Sequence, residues 1–137
     1  MLEARTISIA INREWRSVYD AIWRPQDFSK WASGLAKSPL EQDGERWRAE
    51  GPEGPIRVRF TDYNAFGVMD QWVDIGVGPD VYVPMRIVAN QSGAEVLFTL
   101  FRQPGMSDAK YGADAEWVAR DLGALKALLT GGPAPIA

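Results

Sequence analysis

The stretch SDAKYGADAEWVARDLGALKALLT, Ser107 to Thr130, decides the fold. Tyr111, Ala115, Val118, Leu122, Leu125 and Leu129 recur at steps of four and three, the spacing of one face of an α-helix. Trp117, Ala124 and Leu128 broaden that face into a stripe suited to lying on a sheet. Asp114, Glu116, Arg120, Asp121 and Lys126 are left for water. Ser107 or Asp108 supplies the N-cap, and Gly131-Gly132-Pro133 ends the helix, with a frayed tail beyond Thr130. The two halves differ. Leu122, Leu125, Leu128 and Leu129 give the second half enough bulk to fill a core, whereas Gly112, Ala113 and Ala115 leave Tyr111 as the one large side chain early on. A helix built this way packs tightly at one end and can leave a hollow at the other.

Upstream, Ile7, Ile9 and Ile11 alternate with Thr6, Ser8, Ala10 and Asn12, which predicts a half-buried strand. Asn12 is then read as the cap of a helix reaching about Trp23, with Trp15, Val18, Tyr19 and Ile22 on one face. Arg24-Pro25 breaks it. Asp27 is read as the cap of a second short helix carrying Phe28, Trp31 and Leu35. From Glu45 on, turn signals at 51–55, 63–65, 76–79 and 90–93 divide the chain into strands 45–50, 56–62, 66–75, 80–90 and 94–102. Short connections imply antiparallel neighbours. The expectation is an α+β chain whose six-stranded antiparallel sheet wraps the long helix, with two short helices between strands 1 and 2.

Alternation sorts the strand residues onto two faces. Trp47, Val58, Phe60, Met69, Gln71, Val73, Val81, Val83, Met85, Ile87, Val96, Phe98 and Leu100 form an inner face in which Gln71 is the polar exception. Arg57, Arg59, Asp70, Trp72, Asp74, Tyr82, Pro84, Arg86, Glu95, Leu97, Thr99 and Phe101 face outward. With Arg59 set opposite Asp70, the positions of Asp70 and Arg86 align, and Trp72, Pro84 and Thr99 fall in one row beside Tyr82, Leu97 and Phe101. That apolar band suggests a homodimer.

Composition narrows the function. The chain has 137 residues, the length of a single domain (1–137) with a sizeable core. Its net charge of −3 and lack of a basic patch argue against a nucleic-acid partner. No apolar run approaches the roughly 20 residues of a membrane span, and residues 1–5 do not read as a signal peptide, so a cytoplasmic location is expected. The sequence holds no Cys and no His. Disulfides, thiolate nucleophiles, Ser-His or Cys-His pairs and the commonest metal ligands are thereby excluded, and neither a metal nor a cofactor is expected. Asp70 and Asp74 stand roughly 13 Å apart along a strand, too far to flank one bond, and read as solvated residues of the outer face. Gly76-Val77-Gly78 lacks the third glycine and the following helix of a dinucleotide loop, and reads as a hairpin turn. Gln71 reads either as a core amide held by backbone or water, or as a polar anchor in an apolar pocket.

The order strand, two short helices, five-strand meander and long C-terminal helix resembles the helix-grip fold of the START-like, birch-pollen-allergen-like (SRPBCC) superfamily. Phe28-Ser29-Lys30-Trp31-Ala32-Ser33-Gly34-Leu35, Tyr82-Val83-Pro84-Met85-Arg86, Glu95–Arg102 and Asp121–Lys126 resemble its bacterial branch labelled polyketide cyclase/dehydrase-like. The resemblance spans Thr6 to Leu129. It implies binding of a hydrophobic or amphipathic small molecule in a cavity between sheet and helix. The inward side chains opposite the small residues of the helix's first half are expected to line it: Phe28, Trp31, Trp47, Gln71, Val73, Met85, Phe98, Tyr111 and Ala115. Two alternatives accompany it. One is a cyclase/dehydrase-like enzyme with Tyr111, Gln71 and Glu41 as polar groups. The other is an interaction module that works through the outer sheet face, as in the chaperone activators of the superfamily. Many members carry a histidine where this chain has Gln71, which implies a hydrogen-bonding rather than an acid/base role here.

Overall fold

The alternating isoleucines form strand β1 (Ala4–Ile11), which pairs antiparallel with β8 (Gly93–Phe101), Ala4 opposite Phe101 and Ile11 opposite Ala94. On the other edge of β8 lies β7 (Met85–Asn90), completing a three-stranded sheet. A second sheet holds β2 (Glu41–Asp43), β3 (Arg46–Gly51), β4 (Gly54–Phe60), β5 (Gln71–Asp74) and β6 (Val81–Val83) in sequence order, each pair antiparallel. Between β1 and β2 come α1 (Trp15–Ile22) and a 3-10 helix (Pro25–Lys30), and α2 (Asp108–Leu129) closes the order. The computed structural model describes residues 1–130, so the expected stop at Gly131-Gly132-Pro133 lies outside the described residues.

The class is the expected one, α+β with antiparallel strands and a long C-terminal helix, but the single six-stranded sheet is not. Eight strands in two sheets take its place among the described residues. Glu41–Asp43 adds a strand that three polar residues gave no period to reveal. The expected strand 80–90 is cut at Pro84, which has no N–H to give to a ladder. The two sheets stay joined there, because the Pro84 carbonyl accepts from Thr99 N at 2.9 Å and the Met85 carbonyl from Met69 N at 2.9 Å.

The expected strand 66–75 shrinks to Gln71–Asp74, because residues 61–70 form a folded connection rather than a tight turn. Asn64 organises it: its amide donates to the Asp62 and Val68 carbonyls, and its carbonyl accepts from Phe66 N and Val68 N. Gly67 sits at φ +68°, where an added Cβ would run into the Ile87 carbonyl, so the close approach of connection and β7 requires glycine. This longer connection moves the register by two. Arg59 faces Trp72 rather than Asp70, and Trp72 faces Tyr82. A slip of two keeps every side chain on its expected face.

The helix starts also shift. Glu14, not Asn12, caps α1, its carboxylate accepting from Arg16 N and Ser17 N. Asp27 caps nothing; the 3-10 helix opens at Pro25, whose fixed φ suits a first helical position, and Asp27 pairs with Lys30 at 3.1 Å. Ser107 caps α2 by accepting from Lys110 N at 3.1 Å. Tyr111, Ala115, Leu122 and Leu125 are buried as expected, but Ala124 and Leu128 are exposed and Asp121 is buried. The buried stripe therefore widens toward Trp117 and Asp121. The main core lies where α1, the 3-10 helix and the second half of α2 meet the three-stranded sheet, and includes Val18, Tyr19, Ile22, Ile87, Leu122 and Leu125. Ile56, Val58, Val73 and Val83 form a separate cluster on the five-stranded sheet. The long helix packs chiefly on β1 and less on β8.

Candidate functional site

The nine residues expected to bind fall into three groups. Phe28 and Trp31, at the end of the 3-10 helix, are buried with ring centroids 5.3 Å apart. Phe28 also meets Phe60 at 4.7 Å, and Phe60 stands directly opposite Gln71. Gln71 donates through Nε2 to the Met69 carbonyl and toward Met85 Sδ at 3.6 Å, and Met85 faces Phe98. Phe28, Trp31, Gln71, Met85 and Phe98 thus form one connected wall, whose Phe28, Trp31 and Met85 are also members of the main core. Trp47 and Val73 flank Val58 on neighbouring strands and make a second group. Tyr111 and Ala115 form a third, on the first half of α2. Tyr111 is anchored there, since its hydroxyl donates to the Leu100 carbonyl at 2.8 Å.

Burial along this face is incomplete. Trp47, Val81, Phe98 and Leu100 point inward yet are only half-buried, although β8 lies under α2. Large concavities occur elsewhere. One of ≈ 470 Å³ lies on the outer side of β3 and β4, among Ser38, Glu41, Arg48, Glu50, Arg57 and Asp74. Another of ≈ 500 Å³ lies against α1 at Arg13, Arg16 and Asp20. None of the nine residues lines either one. Glu41 lies on that outer side, paired with Arg48 at 2.9 Å, so it does not converge with Gln71 and Tyr111 as an enzyme site would require.

Two polar atoms in the connected wall have no protein partner. Trp31 Nε1 is buried without an acceptor among the described residues. The hydrogen bonds of Gln71 run through Nε2, and none among the described residues reaches Oε1.

Two carboxylates that the sequence assigned to water prove to be buried. Asp70 is 5% exposed and accepts from Tyr82 Oη at 2.7 Å, from Met85 N at 3.0 Å and from Arg86. Asp70 lies on the outer face, at the join between the sheets. Its hydrogen bond, aided by burial, raises the Tyr82 pKa above the ordinary tyrosine value. Asp121 accepts from Ser33 Oγ at 2.7 Å and from Gly34 N at 2.9 Å, while Trp117 Nε1 donates to Ser33 Oγ at 2.8 Å. This fastens the segment just after Trp31 to α2. At the far end of α2, Lys110 spans 3.6 Å to Glu53 in the β3–β4 turn and 2.9 Å to Asp114. Asp121 carried a faint signal, because it falls between Val118 and Leu125 at helical spacing. Asp70 carried none. Among the described residues no cluster of three potential metal ligands occurs, and no helix is long and apolar enough to cross a membrane.

No family model matches the sequence, and no curated protein matches it. Solved structures do. The Aha1 dimer from Colwellia psychrerythraea is similar with a TM-score of 0.74 at 14% identity, over 97% of this chain and 100% of that one. A START superfamily protein from Mycobacterium smegmatis is similar with a TM-score of 0.64 at 8% identity, over 91% and 95%. DynU16, a protein of the dynemicin biosynthetic locus, is similar with a TM-score of 0.67 at 18% identity; the match takes in 95% of this chain and 48% of DynU16. At these identities the likeness concerns the fold alone, a helix grip of antiparallel strands and a long C-terminal helix.

Proposed function

We propose that the protein binds a hydrophobic or amphipathic small molecule between the first half of α2 and the inner sheet face. The observation that carries this is the half-buried state of Trp47, Val81, Phe98 and Leu100, inward-facing residues that a filled core would enclose. The packing agrees with it. The core is split in two, and the long helix covers β1 and part of β8 while Ile56, Val58, Val73 and Val83 cluster apart from it. Ala115, small and buried, lies on the sheet-facing side of α2, whereas Ala113 is exposed. Binding is favoured over turnover because the polar candidates do not converge: Glu41 is on the outer side, and the Tyr111 hydroxyl is engaged with Leu100. Native mass spectrometry of the purified protein, alone and with the apolar probe 1-N-phenylnaphthylamine, tests the reading. A bound molecule, or a one-to-one probe complex lost in Ala115→Leu, supports it. A bare protein that takes up no probe overturns it.

A homodimer through the outer face is the second part of the proposal. Trp72, Tyr82 and Phe101 stack across β5, β6 and β8 with centroids 5.2 and 6.2 Å apart, next to Pro84 and Thr99. A flat aromatic row with charged residues around it suits a two-fold contact. The similar Aha1 structure is that of a dimer.

A further inference from the structure

We infer that the molecule held in the cleft is neutral and carries two separate polar atoms, an oxygen that accepts from Trp31 and a hydroxyl that donates to Gln71. The inference rests on the cleft proposed above. Trp31 is 4% exposed, and its indole nitrogen, a donor that cannot accept, has no partner among the described residues. Buried donors are nearly always paired, so an unpaired one marks a place where an acceptor belongs. Gln71 supplies the complement. It is 2% exposed, and its Nε2 is committed to the Met69 carbonyl. That bond fixes which way the amide points, so Oε1 is turned away from Met69, where no described group donates to it. One empty donor and one empty acceptor therefore stand on the same wall.

The material between them sets the rest of the chemistry. Phe28 touches both Trp31 and Phe60, and Phe60 lies opposite Gln71. An apolar body lying along the two phenylalanines would bring one polar end to each residue. The named contacts of Trp31 and Gln71 are Phe28, Met69 and Met85, none of them charged. Arg5 and Arg102 lie 5.9 Å from the Tyr111 ring, against the first turn of α2, and not beside Gln71. A carboxylate bound at this wall would be desolvated without a counter-ion, so an anion is disfavoured and a hydroxyl is favoured.

Four probes with one ring system test this by calorimetry: naphthalene, 2,6-dimethoxynaphthalene, 2,6-dihydroxynaphthalene and naphthalene-2,6-dicarboxylate. The wild type should bind the dihydroxy compound about tenfold or more tighter than naphthalene, the effect of one net hydrogen bond, and the dicarboxylate most weakly. Trp31→Phe should weaken the dihydroxy and dimethoxy compounds alike. Gln71→Leu should weaken only the dihydroxy compound, because the ethers have no proton to give. Naphthalene should lose no more in Trp31→Phe than the apolar contact that the smaller ring removes, and should not weaken in Gln71→Leu. If naphthalene and the dihydroxy compound bind wild type equally, a trapped water holds the two atoms and the inference falls while the cleft stands. If the ranking survives both substitutions, these residues do not set it. If wild type binds none of the four, the cleft reading falls as well. The wild-type ranking needs no variant to fold.

Discussion

Asp70 and Asp121 are the buried charges of the described residues, and both act by closing hydrogen bonds that chain geometry leaves open. Asp121 satisfies the Gly34 N–H and the Ser33 hydroxyl where the segment after Trp31 meets α2. Asp121→Ala should cost about 1–3 kcal/mol in urea unfolding, as expected for stranding partly buried donors. It should also speed probe release, because the segment after Trp31 loses its fastening; an unchanged release rate would leave Asp121 a purely structural group. Tyr82 gives a pH test. Its folded pKa is raised, so the stability it adds is complete below the unfolded value near 10 and is lost as pH rises through the folded one. Tyr82→Phe should therefore be less stable than wild type at neutral pH, with the gap closing above about pH 10. A gap that is constant from neutral to alkaline pH would mean that the hydroxyl bond to Asp70 contributes nothing. These roles were hard to see in the sequence for a physical reason. A carboxylate on an alternating outer face has the pattern of a solvated one. Only the cut in the strand at Pro84 brings the backbone N–H of Met85 and the hydroxyl of Tyr82 to Asp70.

Helix α2 was the most legible element, because 22 residues repeat one period, and the meander was legible because its turns are rich in Gly, Pro and Asn. Strand limits were not. Asn64 builds a ten-residue connection, 61–70, through side-chain bonds that no periodicity signals, and the register moved by two as a result. Of the nine residues expected to bind, Phe28, Trp31, Gln71, Met85 and Phe98 meet one another, as inner-face alternation and helix spacing place them. The empty Trp31 nitrogen depends on ring orientation and could not be read from spacing. The two halves of α2 predict different responses to substitution. Leu122 and Leu125 are 1% and 0% exposed in the main core, so Leu→Ala at either should cost about 2–5 kcal/mol. Ala115→Leu adds volume where the helix faces the proposed cleft. It should reduce apolar probe binding with a smaller loss of stability. Equal stability losses at the three positions, with probe binding intact, would show that the first half of the helix is packed like the second.

At the scale of the whole molecule, two surfaces of the five-stranded sheet compete for meaning. Its inner face borders the proposed cleft, which Lys110 and Glu53 span at 3.6 Å; both are well exposed, so the pair adds little stability. Its outer face carries the aromatic row, and the question is whether that row is covered. Arg59 lies over the Trp72 ring at 3.9 Å, so one end is already capped within the chain. Tyr82 remains 36% exposed, and Trp72 and Phe101 are half-buried. Among the described residues no helix lies on this side, since α1 and α2 pack on the inner face of the three-stranded sheet. A second copy related by a two-fold axis would lay its own row against this one, with Arg59 and Arg86 at the rim. Light scattering at micromolar concentration should then give a dimer. Trp72→Glu puts a charge at the centre of the contact and should return a monomer with its thermal unfolding preserved. Arg59→Ala uncovers more of Trp72 and should tighten the dimer rather than break it. A monomeric wild type, or a Trp72→Glu variant that stays dimeric, rules out this face as the interface. The Arg59 cap would then be the arrangement by which the chain keeps its aromatic row from water.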